Sequence, residues 1–398
     1  MAADVLILGG YGTTGKVVAE LVLAHSDATV VVAGRNLQRA ERAAATLNAR
    51  FPGRAAARFA DAADPASLTA AFAGVGIVAV AASVMKSAGV VAEAALQANA
   101  DYFDLLLSAP AKHAVLERFR ARIEQQQRCY ITDGGIHPGL SAAMIRALAP
   151  AFGRLERADV AGLLKLDWSA YDFGLDTIYE FVEELAAFRP EALRDGAWVR
   201  LPWKAAMKRF DFGPPYGAER CTVMGLEELR LLPREIASLR DCGFYVSGFN
   251  PLADNVLVPL GLVVMKLAPR AMGRPYARLF AVALRRFARP PFGVVWQLEA
   301  EGVAAGETAG GEATRSRVSS GTRLHAGLRL RHEDGYWLTA ATAAACLLQY
   351  LDGSLRTPGL HLQALAVAPG RLLRDLQRMG VVIDSRGVDL GALLRAAE

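Results

Sequence analysis

No two of the four cysteines in this 398-residue chain stand close enough in sequence to form a metal knot. Cys129, Cys221, Cys242 and Cys346 lack any CxxC or Cys/His spacing. They read as free thiols of a reducing compartment, and no metal is expected. The start, MAADVLILGG, has no basic region, apolar stretch and cleavage site of the export type, so a cytoplasmic protein is expected. No apolar run reaches the ~20 residues of a membrane helix. Val256 to Ala268 comes nearest, at thirteen residues interrupted by Pro259 and Gly261. A basic arm is also missing: the net charge of +5 and pI near 9.1 come from arginines dispersed along the chain. That points weakly to an anionic ligand and away from nucleic acid.

What is there is ample apolar content, 53% against 21% charged. A chain of this length and composition buries two cores rather than one. The expected division is 1–135, 136–335 and 336–398, the last segment returning to the first domain.

Val5 to Leu8 is a short apolar strand, and Val17 to Leu23 carries helical spacing. Between them stands Gly10-Tyr11-Gly12-Thr13-Thr14-Gly15, a GxGxxG. Its glycines serve a tight turn, close backbone approach to a pyrophosphate, and packing of helix on strand. The phosphate would rest on the helix N-terminus. A second strand, Thr29 to Ala33, ends in Gly34-Arg35-Asn36. An NAD site places Asp or Glu there; Gly-Arg removes that charge and offers a guanidinium to a 2′-phosphate, so NADP(H) is expected. The plainer reading is that Arg35 is a solvated residue opening the next helix.

Further strands follow at Ala57 to Phe59, Ile77 to Ala82, Tyr102 to Leu106 and Cys129 to Thr132. Helical stretches separate them: Ala66 to Phe72, Val90 to Ala98 and Ala111 to Gln126. This alternation makes a doubly wound parallel α/β sheet of Rossmann type with right-handed crossovers. Ligands lie at the carboxyl ends of such strands, which puts Asp61 near the adenine and Ser83 near the nicotinamide. Asp61 also suits an N-cap or turn.

The sixth strand runs into Asp133-Gly134-Gly135-Ile136-His137-Pro138-Gly139-Leu140, which resembles the strand-to-helix junction of saccharopine dehydrogenase-like proteins. Tyr336-Trp337-Leu338-Thr339-Ala340, a helix to about Leu351, Pro358-Gly359-Leu360 and Leu373 to Val382 resemble that family's C-terminal return. The likeness covers roughly 1–150 and 295–385. It implies an NADP-dependent oxidoreductase whose middle is an α+β substrate and dimerisation domain with an antiparallel sheet, and a homodimer. It also implies that Gly10, Tyr11, Gly12, Thr13, Thr14, Gly15, Arg35 and Asn36 serve the cofactor. Two departures stand out. The family often has a Gly-Pro-aromatic turn after strand four, where this chain reads Ala82-Ser83-Val84-Met85-Lys86. It commonly has an acidic residue where His137 stands, so an amino-acid substrate is not carried over.

Hydride transfer asks the protein for cofactor placement, a proton donor and exclusion of water. His137 is the expected donor, because an ordinary imidazole titrates near neutrality and its turn should face the pocket. Packing at a hinge is the alternative. Asp133 would orient His137 or bind the nicotinamide amide, or else satisfy backbone donors of its turn. Lys86 would hold a carboxylate or polarise a carbonyl, or else stand exposed at a helix start. Tyr171 and Asp172 lie in a possible substrate loop before a helix opened by the capping box Thr177-x-x-Glu180. Substrates in view are an imine, a carbonyl or an activated double bond. A non-catalytic NADP(H)-binding protein is the alternative, since no acid–base–nucleophile triad is legible.

In the middle, Tyr276 to Arg289 sets Leu279, Phe280, Leu284 and Phe287 on one helical face and Arg278, Arg285 and Arg286 on another. Such a helix either covers a pocket or dimer seam, or lies on the inner face of an anionic membrane with the rest of 256–289; the second would imply a lipophilic substrate. Arg157 to Trp168, Trp296 to Glu301 and Leu324 to Arg331 alternate small or apolar with polar residues. They are expected as strands of one antiparallel sheet with a single buried face, packed by a helix from Thr177 to Phe188. Glu299 and Glu301 are expected to face Arg329 and Arg331, and Gly306 to Thr314 to be an exposed connection.

Overall fold

The computed structural model describes residues 3–170, 178, 179, 182, 189–250, 252–306 and 321–395. Tyr171, Asp172, the Thr177–Glu180 capping box, most of the 177–188 segment and the connection 307–314 lie outside them.

The chain divides into two units. The first comprises Met1–Ala143, Tyr336–Gly380 and Leu394–Glu398; the second Met144–Gly335 and Val381–Leu393. The expected return of 336–398 is therefore divided: 336–380 joins the first unit and 381–393 the second.

The first unit alternates β1 (Ala3–Leu8), α1 (Thr13–His25), β2 (Val30–Gly34), α2 (Leu37–Arg50), β3 (Ala55–Phe59), α3 (Pro65–Phe72) and β4 (Val75–Val80). Then come α4 (Ala88–Gln97), β5 (Asp101–Asp104), α5 (Pro110–Glu117), α6 (Arg120–Gln125) and β6 (Cys129–Thr132). The sheet is parallel, in the order β15-β6-β5-β4-β1-β2-β3, where β15 (Gly359–Leu362) comes from the C-terminal segment. Strands such as Val30–Gly34 are buried throughout because helices cover both faces. The single helical stretch expected over 111–126 is two helices, α5 and α6. Asp64 caps α3 by accepting from the Ala66 N–H, with Pro65 in the first turn where no N–H is needed.

The second unit holds a sheet in the order β10-β11-β12-β7-β13-β14-β16. These strands are Met207–Asp211, Ala218–Met224, Asp241–Ser247, Phe152–Lys165, Gly293–Ala304, Arg323–His332 and Val382–Arg386. As expected, 296–301 and 324–331 pair antiparallel. The sheet is mixed rather than wholly antiparallel, however, because β12 runs parallel to β7. Both faces are buried at its centre, not one. Val160, Trp296, Leu298, Leu328 and Leu330 fill one face. On the other, Ala161, Leu163 and Val295 pack with Phe210, Phe212, Val223 and Tyr245. The polar half of the alternation is thus broken by Ala161 and Leu163, which Phe210, Phe212 and Val223 of the β10–β11 hairpin and Tyr245 of β12 cover.

The charge pairing also differs. Register sets Glu299 opposite Gly327 and Arg329 opposite Gln297. Glu299 instead pairs with Lys208 at 3.3 Å, Glu301 approaches His325 at 3.6 Å, and Arg329 and Arg331 both reach Asp384 at 3.4 Å. In the helix Pro269–Phe287, Phe280 and Leu284 are buried as expected, but Leu279 and Phe287 are exposed.

Candidate active site

β1 and its neighbours β2 and β4 form the point at which strand order reverses, where a dinucleotide crosses a sheet of this topology. The turn after β1 is closed by backbone bonds from Gly9 N to Ala33 O at 2.8 Å and from Gly12 N to Gly9 O at 2.8 Å. Gly9 has φ +85°, and a Cβ on it would meet Ala82 at 2.8 Å. A Cβ on Gly15 would lie 2.4 Å from Gly9 O, so the third motif glycine is what lets α1 sit against the turn. Gly12 differs: its Cβ would meet only Gly9 O, at 3.1 Å, and its other side is open. That open side fronts the first turn of α1, where Thr13, Thr14 and Gly15 present backbone N–H groups with no acidic residue among them. The cradle therefore fits a pyrophosphate.

At the end of β2, Tyr11 lies over Gly34, whose Cβ would be 2.6 Å from the ring. The Asn36 N–H donates to the Tyr11 hydroxyl at 3.1 Å, and the Arg39 guanidinium stands 4.9 Å from the ring centre. Asn36 Oδ1 caps α2 by accepting from Arg39 N at 2.9 Å, so its side chain orders the loop. Arg35 is exposed, and no carboxylate among the described residues pairs with it. An unpaired guanidinium beside a glycine, with Arg39 one turn on, suits a dianionic 2′-phosphate. Arg39 was not singled out from sequence, although its i+4 spacing from Arg35 is the signal that could have found it.

Replacing Arg35 with Asp is expected to move preference from NADPH toward NADH. A charge-assisted contact is worth about 1.5–3 kcal/mol and the new carboxylate repels the phosphate. Fluorescence titration of both nucleotides measures the ratio; an unchanged ratio would contradict the role given to Arg35.

Asp61 lies at the end of β3, and its Oδ1 closes a turn by accepting from Ala63 N at 3.0 Å. Ser83 and Lys86 are exposed beyond β4, with Lys86 in the 3-10 turn Met85–Ser87.

Beyond β5 and β6 lies a buried charge cluster that sequence alone did not show. Lys112, fully buried on α5, reaches Asp104 Oδ1 at 2.9 Å, Asp133 Oδ1 at 2.7 Å and the Leu106 carbonyl at 3.0 Å. Asp104 also accepts from the Thr132 hydroxyl at 2.6 Å. Asp133, at φ +57°, is bound by His113 Nε2 at 2.9 and 3.0 Å. Burial raises the Asp133 carboxyl, but Lys112 and His113 outweigh it and hold it down at about 2. Burial lowers the Lys112 ammonium, and the two aspartates more than reverse that. Asp133 is therefore anionic at any physiological pH. Its defined partners are Lys112 and His113.

His137 sits in the same turn, partly buried, and desolvation pushes it down to about 4 despite the pull of Asp133. Desolvation therefore favours its uncharged imidazole at neutral pH. His113 has a side chain 23% exposed and a carboxylate on one nitrogen. Asp133 requires a proton on Nε2, which leaves Nδ1 as the atom that donates or accepts. The turn itself is braced by Gln363, whose Nε2 donates to the Gly135 and Gly139 carbonyls at 3.0 and 2.9 Å while its Oε1 accepts from Gly135 N.

The low His137 value has a consequence for stability. As pH falls, the unfolded chain takes the proton near 6.5 and the folded chain only near 4, so this residue withdraws stability between those values. His137→Gln should unfold with a midpoint less sensitive to acid over pH 6.5 to 4. Parallel thermal melts of the two proteins check this, and identical acid limbs would contradict it.

Residues 5–130 match the family model described as the saccharopine dehydrogenase NADP binding domain. Within the nucleotide unit, the segment 5–130 is thus similar to the NADP-binding domain of saccharopine dehydrogenases. NADP(H) is accordingly its cofactor, and an oxidoreductase is the class of protein to which this domain points. Apo saccharopine dehydrogenase (L-Glu forming) from Saccharomyces cerevisiae is similar in structure, with a TM-score of 0.67 at 16% identity. The match covers 97% of this chain and 100% of that one, so the fold is shared from end to end, second sheet included. Partial likenesses include triphenylmethane reductase of Citrobacter sp., at 14% identity, TM-score 0.28, covering 46% of this chain and 76% of that one. No curated protein matches by sequence. Among the described residues no helix is long and apolar enough to cross a membrane, and no His, Cys, Asp and Glu group could hold a metal.

Proposed function

We propose that this protein is an NADPH-dependent reductase of an imine, carbonyl or activated double bond, with the His113–Asp133 pair as its proton relay. The observation that carries this reading is the placement of that pair beyond the carboxyl ends of β5 and β6, on the edge where the GxGxxG turn and Arg35 also stand. Bound NADPH supplies a hydride from its nicotinamide. The chain's own residues do the rest. The first turn of α1 and Arg35 anchor the phosphates. Gln363 fixes the glycine turn through Gly135 and Gly139, and Lys112 keeps Asp133 charged and immobile. Asp133 in turn accepts a hydrogen bond from the Nε2 proton of His113, so that the doubly protonated ring gives its Nδ1 proton to the atom made basic by reduction and is left neutral with Nε2–H still on Asp133.

A cleft of about 900 Å³ lies within the second unit, and we assign the substrate to it. Trp203, Phe249, Leu252 and Phe287 give it apolar walls, and Arg220 and Arg289 give it positive charge. That mixture suits an amphiphile with an anionic or polar end. Asp254 also lines it, and desolvation, outweighing three backbone N–H groups, raises its carboxyl to about 7. Loss of NADPH absorbance over a panel of carbonyl, imine and enoyl compounds, short and long-chain, tests the reading. Tight NADPH binding without consumption on any of them would favour a non-catalytic NADP(H)-binding protein instead.

A further inference from the structure

The helices Val258–Leu267 and Pro269–Phe287 of the second unit present an outer face unlike the rest of the molecule. Seven of the fourteen large apolar side chains exposed among the described residues fall here, and Val256, in the π-helical turn Ala253–Leu257 that leads into the first helix, makes an eighth. Val256 and, on the first helix, Leu260, Val263 and Leu267 follow a 4-3-4 spacing, with Leu267 76% exposed. On the second, Leu279 and Val282 stand 52% and 63% exposed and share a face with Arg286. The inner face is packed independently, by Tyr276, Phe280, Ala283 and Leu284 against Ile178, Val182 and Leu257. The outer residues are therefore not needed to hold the helices in place.

Charge says what covers them. From Asn255 to Leu298 the chain carries Lys266, Arg270, Arg274, Arg278, Arg285, Arg286 and Arg289 and no acidic residue. A second copy meeting these helices by two-fold symmetry would set one run of arginines against another, and self-pairing is disfavoured. An anionic lipid surface meets both features: the apolar side chains enter the headgroup–acyl boundary and the arginines meet the phosphates.

We propose that this helical face docks the protein on the surface of an anionic bilayer, without crossing it. Pro259 and Phe287 belong to the same helices and line the cleft, so a ligand drawn from the lipid would reach it at the docked side. The docking itself does not depend on the reductase reading, since it is measured by binding.

Co-sedimentation of the full chain with extruded vesicles tests it. Vesicles of phosphatidylcholine and phosphatidylglycerol at roughly two to one should pellet the protein, and pure phosphatidylcholine should do so about tenfold less. High salt should release it. L279E/V282E, which alters only exposed positions, should lose vesicle binding while keeping its melting temperature and NADPH affinity. Three results would overturn the proposal: protein left in the supernatant with both lipids, equal pelleting with both, or undiminished pelleting of L279E/V282E. A wild-type dimer that L279E/V282E dissociates, with no lipid binding, would assign the face to self-association instead.

Discussion

Lys112→Met is expected to destabilise the nucleotide unit by about 3–5 kcal/mol, because it leaves two fully buried carboxylates facing each other with no ammonium between them. The methylenes of Met replace the stem of Lys112, so the loss is electrostatic rather than a cavity. His113 remains on Asp133, but Asp104 is left with neutral donors, so protonating one aspartate relieves the remaining charge. The variant should therefore recover stability as pH falls, where the wild type does not. Adding Asp133→Asn to Lys112→Met should restore part of the loss even at neutral pH. Chemical denaturation of the three proteins measures this, and a single variant within about 1 kcal/mol of wild type would show that the cluster is not a stabilising unit.

The second large effect concerns turnover. His113→Gln should slow it by about 10² or more with NADPH affinity nearly unchanged, since general acid catalysis is typically of that size and the residue is remote from Arg35 in sequence and element. His137→Gln should stay within a few-fold of wild type, because an imidazole held near pKa 4 is already uncharged at neutral pH. Single-turnover rates with a substrate from the panel decide between them. If His137→Gln is the slow variant and His113→Gln the fast one, the donor is the histidine that sequence alone singled out.

The reversal between those two histidines shows where sequence reading ended. The GxGxxG, the β2 terminus and the strand–helix alternation were legible because each is local: a turn, a cap or a periodic run carries its own chemistry. The charge cluster was not, because Lys112 opens a helix as Pro-Ala-Lys-His, the pattern of a solvated lysine, and its partners lie 8 and 21 residues away on the ends of two strands. Gln363 is further still, 228 residues from the turn it braces. In the second unit the two-residue period located β13 and β14 and their pairing, but not the cover on the far face. Ala161 and Leu163 occupy positions that a half-solvated strand would give to polar residues. The sequence pattern gives the amphipathic helix an apolar arc wide enough to include Leu279 and Phe287. The buried stripe is narrower, and the surplus is what stands exposed.

A structure of the protein with NADPH bound tests the central claim most directly, because both ends of one molecule report on it. The 2′-phosphate should lie against the Arg35 guanidinium, the pyrophosphate on the first turn of α1, and the nicotinamide ring beyond the ends of β4 to β6. Its reactive carbon should then share with His113 Nδ1 a space that a substrate atom about 3–4 Å from each could occupy. A nicotinamide turned away from His113, or a 2′-phosphate held without Arg35, would contradict the reading of this edge as a reductase site.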